Sequence, residues 1–175
     1  MQMDKTTLFS IGGIVVVFAV VFGVLLSVDQ GQQKQADVLA TADASNGTIF
    51  VASKMHDFGT IDMGDGKVNH RYKLTNNSEE PVMLGEIYTS CMCTTAQAVY
   101  ADGEVSVIAG MRGHGPPTYL NKTVEPGESV EIEAVFDPAA HGPSGVGPIN
   151  RSILIKTNSL NLPQLELAFE ANVTR

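Results

Sequence analysis

The sequence predicts an all-β domain, a two-sheet antiparallel sandwich of seven or eight strands, preceded by one N-terminal transmembrane helix. Three observations carry this expectation. Leu8 to Val28 (LFSIGGIVVVFAVVFGVLLSV) is an uncharged apolar run of 21 residues. From Thr48 onward apolar residues recur at every second position, the period of a strand with one buried face. Gly, Pro, Asn and Asp interrupt that alternation repeatedly, as turns require, and no amphipathic helix of ten residues follows the apolar run.

The elements follow in chain order. Residues 1–7 form a short stub, expected on the cytoplasmic side. Residues 8–28 match the roughly 20 residues that cross a bilayer core. The run is longer than the apolar core of a cleaved signal peptide, and the Ala40-x-Ala42 pair lies well downstream. Lys5 and Lys34 on either side barely orient it. The short stub and large C-terminal part place the latter outside the cytoplasm. Residues 29–47 (DQGQQKQADVLATADASNG) are polar and lack aromatics, which reads as a flexible tether. Residues 48–175 are the domain, with strands expected near 48–53, 68–75, 82–90, 94–100, 104–109, 128–136, 149–157 and 165–173. Val68, His70, Tyr72 and Leu74 share one phase, as do Val130, Ile132, Ala134 and Phe136, and Leu165 through Val173. Short strands joined by turns, with no crossover helices, give an Ig-like shape.

Composition narrows the function. A net charge of −8 with only 11 Lys and Arg excludes nucleic acid as the main partner. The chain lacks a Gly-x-Ser-x-Gly elbow, a His-Glu-x-x-His helix and a phosphate-binding Gly-rich loop, so hydrolytic enzymes have no support. Glu131, Glu133, Glu166 and Glu170 fall on the wet phase of their strands, and Asp62 to Gly66 reads as a turn rather than a calcium loop.

Certain residues form an ordered set. His56-Asp57-Phe58-Gly59-Thr60-Ile61 comes first, then Val68-x-His70-x-Tyr72-x-Leu74-Thr75-Asn76, Ser90-Cys91-Met92-Cys93-Thr94, Pro126-Gly127-Glu128, Phe136-Asp137-Pro138 and Ile155-Lys156-Thr157-Asn158. The set resembles a bacterial domain family of unknown function with His-Asp-Phe-Gly and Cys-Gly-Cys-Thr elements. That family is similar to Hydin-type Ig-like domains and, more distantly, to PapD-like sandwiches. The resemblance covers residues 48–173 and implies an extracytoplasmic sandwich behind a signal or anchor, without implying a reaction. Met92 stands where the family has Gly, and the Gly/Pro-rich insertion around Met111 to Pro117 is longer than the family pattern. The five Asn-x-Ser/Thr sites (Asn46, Asn76, Asn121, Asn150, Asn172) are then incidental.

Cys91-Met92-Cys93 is the tripeptide with chemistry. On an extended strand the two thiols would face opposite ways, whereas a bent turn lets the sulfurs converge. Converged, they could be a structural pair or disulfide, a soft-metal site suited to Cu(I), or a redox pair. Met92, Met83, Met111 and His114 are the candidate additional ligands. Met111 and His114 lie three apart in a Gly/Pro loop (Ala109 to Tyr119) that reads first as a protein-contact surface. His70 sits on the inward phase of its strand, as a half-buried histidine rather than a ligand. His56 reads as a turn cap, and His141 lies in another Gly/Pro loop without a role. The expected function is a non-enzymatic, membrane-anchored interaction or scaffold module of a bacterial inner membrane, touching lipid through residues 8–28 and a protein partner through its sandwich. The alternative is a copper-binding or thiol-redox protein using Cys91 and Cys93.

Overall fold

The computed structural model describes residues 33–175 together with Phe18, Val20, Val21, Phe22 and Val24. The expected span, Leu8 to Val28, lies outside the described residues apart from those five, which are helical and exposed. Among the described residues no helix is long and apolar enough to cross a membrane. The chain divides into two units, the first ending at Gln35 and the second, Ala36–Arg175, being the β domain.

The second unit has nine strands: β1 (Ile49–Val51), β2 (Met55–Asp62), β3 (Val68–Asn76), β4 (Val82–Thr89), β5 (Thr94–Val99), β6 (Thr118–Val124), β7 (Ser129–Phe136), β8 (Gly147–Thr157) and β9 (Gln164–Thr174). They form a four-stranded sheet, β1-β3-β7-β5, and a five-stranded sheet, β2-β9-β8-β4-β6. The expected all-β sandwich is therefore present, with two more specific differences. All pairings are antiparallel except β2 with β9, which is parallel. The strand expected at 104–109 is replaced by isolated bridges, Val99 with Val105 and Ala96 with Ala109.

The strands missed from the sequence are β2 and β6. Both are edge strands, and an edge strand need not bury a complete face. Of β2 only Ile61 is buried, and of β6 only Val124. The β2 pairing also slips between Asp57 and Thr60, where Gly59 takes a φ of 69° that favours glycine.

Of the segment expected as a tether, 29–47, the described residues 43–47 are bonded to the sandwich. Residues 33–41 are helical, Ser45 and Gly47 are buried, and Ser45 bridges Ser159. The Asn46 amide donates to the Glu80 carboxylate at 2.7 Å. A Cβ at Gly47 would stand 2.7 Å from the Glu80 carbonyl oxygen, so only glycine passes there without displacement.

The alternating residues do meet between the sheets. Tyr72, Leu74, Val130, Ile132, Ala134 and Phe136 of one sheet face Leu84, Ile153, Ile155, Leu167 and Phe169 of the other, all buried. The Tyr72 hydroxyl crosses the core and donates to the Ala168 carbonyl at 2.7 Å, and burial pushes its pKa well above the ordinary value. At the rim, His70 stacks flat on His56, centroids 3.7 Å apart. His56 thus belongs to β2 and to this ring stack rather than capping a turn.

Asn76 ends β3 fully buried. Its side-chain amide donates to the carbonyls of Glu80 (2.8 Å) and Val124 (2.9 Å), and its side-chain oxygen accepts from the Ser78 amide (2.9 Å). Truncation orphans buried partners, so Asn76→Ala is expected to cost about 2–4 kcal/mol, read as a lower urea midpoint at unchanged slope. An unchanged midpoint would show that water replaces these bonds.

Burial, and then the neighbouring His56 charge, hold the His70 pKa below its ordinary value. The unfolded chain then takes the proton first, so stability is complete above the unfolded pKa of about 6.5 and declines as pH falls below it. Lowering the pH from about 7.5 to about 5.5 is expected to reduce Tm more in wild type than in His70→Gln. Equal losses in calorimetry would remove His70 from the acid response.

Candidate functional site

β4 and β5 belong to different sheets, so Ser90 to Cys93 must cross from one to the other at an end of the sandwich. This crossing is tightly tied. The Thr94 amide donates to the Cys91 carbonyl at 3.1 Å, closing the turn, and the Asp137 amide donates to the Cys93 carbonyl at 2.9 Å. The Thr89 hydroxyl lies between the carbonyls of Cys91 (3.0 Å) and Thr94 (2.9 Å). Ser90 and Ser152 exchange bonds, amide to carbonyl and amide to hydroxyl, each at 2.9 Å. Of the two geometries open to Cys91 and Cys93, the chain adopts the bent one, and the sulfurs converge to 2.7 Å with both cysteines free.

A second crossing, from β7 to β8, adds a histidine. Asp137 stops β7 and its carboxylate accepts from the Ala139 amide at 3.0 Å. A 3-10 turn over Gly142–Gly145 follows, starting at His141. This puts His141 Nε2 at 3.1 Å from Cys91 Sγ. From β8 itself, Arg151 Nε donates to Cys93 Sγ at 3.2 Å. Cys93 is buried, Cys91 and Arg151 half-buried and His141 exposed. The cluster borders a shallow basin of about 630 Å³ lined by Ser90, His141, Ser144, Ile149 and Arg151.

The proton is shared unequally. Burial raises the Cys91 pKa, but hydrogen bonds from the Cys93 thiol and amide and from His141, with the Arg151 charge, outweigh it and bring the value down to about 7. Burial, followed by donation to Cys91, pushes Cys93 upward. Cys91 is therefore the first of the pair to ionise, with the Cys93 thiol donating to it.

Among the described residues, Cys91, Cys93 and His141 place their ligand atoms within 4.8 Å of one another. His141 was missed from the sequence, and His114, favoured there, lies outside this group. Met92 sits in the turn with 57% of its surface exposed. Met111 and His114 share a turn, the His114 amide donating to the Met111 carbonyl at 3.1 Å. They line a different concavity of about 690 Å³, together with Glu86, Tyr88, Arg112 and Lys156. There Glu86, a buried carboxylate, accepts from Arg112 at 3.1 and 2.7 Å and pairs with Lys156 at 3.0 Å. The Arg112 guanidinium lies over the Tyr88 ring at 3.9 Å. Val107 and Ile108, which also line this concavity, are 77% and 61% exposed, and neighbouring Val105 is 56% exposed.

The sequence did hold one signal for Arg151. It shares the inward phase of Ile149, Ile153 and Ile155, where a charge requires a partner. No comparable signal marks His141, which lies 50 residues from Cys91.

The proton assignment has a direct check. Iodoacetamide is expected to label Cys91 before Cys93, with a rate that rises through a midpoint near 7, and Arg151→Gln to move that midpoint upward. Peptide mapping that finds Cys93 labelled first would reverse the assignment.

Comparisons with known proteins extend the fold but assign no chemistry. No curated protein sequence matches the chain. A protein of unknown function from Porphyromonas gingivalis W83 shares 19% identity at a TM-score of 0.54, over 76% of this chain and 50% of that one. The chain thus spans half the length of that relative. A family 123 glycoside hydrolase from Clostridium perfringens is 10% identical at a TM-score of 0.50, over 74% of this chain and 27% of that enzyme. The likeness to both is one of fold. The PapD-like domain 7 of human CEP192 is 15% identical at a TM-score of 0.45, over 77% of this chain and 92% of that domain. Residues 49–110, which include the His56 and Cys91 motifs, match the family described as protein of unknown function (DUF1573).

Proposed function

We propose that this chain is a non-enzymatic interaction module, anchored in a bacterial inner membrane by residues 8–28, whose sandwich outside the cytoplasm takes an extended segment of a protein partner. The observation that carries the reading is the exposure of Val105, Val107 and Ile108 at the 690 Å³ concavity. The backbone here has a structural task. Ser106 donates to the Ala98 carbonyl at 2.9 Å, and Ala109 and Ala96 exchange bonds, so the segment covers the free edge of β5. Such cover protects an edge from unwanted pairing. The Val105, Val107 and Ile108 side chains have no such task, unlike the Ser106 hydroxyl, which accepts from the Ala98 amide at 2.9 Å, and burying one Val or Ile side chain is worth roughly 1.5–3 kcal/mol.

Charge adds detail. Arg112 and Lys156 share one carboxylate, Glu86, leaving one surplus positive charge at this concavity in a chain of net charge −8. The fitting partner segment is apolar with an acidic residue. Among the described strands β6 stands at the edge of the sheet that carries Glu86 and Lys156, paired with β4, and a sheet edge is where an added strand docks.

Two measurements test this on the full-length chain in its own membrane. A photo-crosslinking residue at Val107 is expected to give a discrete protein adduct that Ile108→Asp abolishes, while the same probe at exposed Phe50 gives none. Equal yields at both positions, or none, would overturn the docking surface. External protease is expected to digest the domain in spheroplasts, and deletion of residues 8–28 to release it from the membrane pellet. Recovery of the intact chain from the cytosol would overturn the anchoring.

A further inference from the structure

We propose that Cys91, Cys93 and His141 form a site for one Cu(I) ion, with Arg151 as its positioning and charge-balancing residue. The site is independent of the docking surface above and shares no residue with it.

Geometry comes first. The three ligand atoms already lie within 4.8 Å of one another, on two crossings whose backbone is hydrogen-bonded on several sides. An ion bound at roughly 2.3 Å from each sulfur spreads the pair to at most roughly 4.6 Å. Rotation of the Cys91 side chain, on the half-buried side of the turn, supplies that movement. The His141 side is exposed, so the ion has a path from solvent.

Chemistry selects the ion. Two thiolates and an imidazole suit a soft monovalent metal. A structural Zn(II) site requires a fourth ligand, and among the described residues the group of His, Cys, Asp and Glu stops at three. Charge decides further. Two thiolates and Cu(I) sum to −1, and the Arg151 guanidinium on Cys93 returns the site to zero. With Zn(II) the same groups sum to +1 beside a buried sulfur, an uncompensated charge in a poorly solvated place. Arg151 Nε also holds Cys93 Sγ in place, in the way that partners of metal ligands orient them. Binding forms two copper–sulfur bonds and one copper–nitrogen bond. Each thiol still protonated loses its proton to solvent, and no electrons move.

The test uses full-length protein in detergent under anaerobic, reducing conditions. Cu(I) itself is titrated in competition with bicinchoninate, and far-ultraviolet circular dichroism follows every variant. One copper per chain is expected. Cys91→Ser and Cys93→Ser should lose it, and His141→Ala should weaken it at least roughly tenfold. Met111→Leu and His114→Ala should match wild type. Arg151→Gln should keep one copper but narrow the preference for Cu(I) over Zn(II). Failure of folded wild type to hold copper against the competitor, or displacement of Cu(I) by equimolar Zn(II), would overturn the proposal. If the serine variants lose the β signature, His141→Ala decides, because His141 is exposed on a loop, and an unchanged affinity there would overturn it equally.

Discussion

The apolar faces of β3 and β7 on one sheet must meet those of β4, β8 and β9 on the other at a single register. A slip of one residue would turn every buried side chain outward. Leu74, Ile132, Ile155, Leu167 and Phe169, all without exposed surface, mark how complete that meeting is. The Tyr72 hydroxyl on the Ala168 carbonyl adds a directional bond across the same interface. With register set, the ends of the strands are set too. The crossings at Ser90 to Cys93 and at Asp137 to Val146, and the Arg151 position on β8, are then delivered to one end of the sandwich. The thiol–imidazole cluster is a consequence of core packing as much as of its own residues.

This explains which features the sequence displays. Strands that bury a full face announce themselves: Leu165, Leu167, Phe169, Ala171 and Val173 alternate, and all are buried. The edge strands β2 and β6 bury one residue each and leave no such trace. Cys91 and Cys93 are visible as a pair because they are neighbours in sequence. Their contacts with His141 and Arg151, 50 and 58 residues away, are written only in strand register. His114 attracted attention through its closeness in sequence to Met111, and that closeness gives a local turn at a concavity separate from the cysteines. The polar stretch before Thr48 misled in the other direction. Its Ser45 and Gly47 find partners in Glu80 and Ser159 that no local pattern could indicate.

The two surfaces of interest are also electrostatically distinct. At the Gly/Pro loop a buried carboxylate is shared by two cations, so one positive charge is left over whatever is bound, and the nearby exposed groups are aliphatic. At the thiol end the balance shifts with what is bound. One thiolate is matched by Arg151, and a second thiolate would need a further positive charge to accompany it.

That imbalance separates the thiol end from an ordinary structural turn. Thr89 already satisfies the carbonyls of Cys91 and Thr94, and the Thr94 and Asp137 amides close the backbone. Apart from the Cys93 amide, which reaches Cys91 Sγ at 3.5 Å, the backbone of the turn takes nothing from the sulfurs. A small apolar side chain at residue 93 would fill the buried position without obliging a half-buried guanidinium to face it, and charges taken out of water are costly unless well paired. The sulfur atoms, the imidazole and the guanidinium thus form an arrangement that packing alone does not require. Its physical logic is completed by a small monovalent cation lying between the two sulfurs.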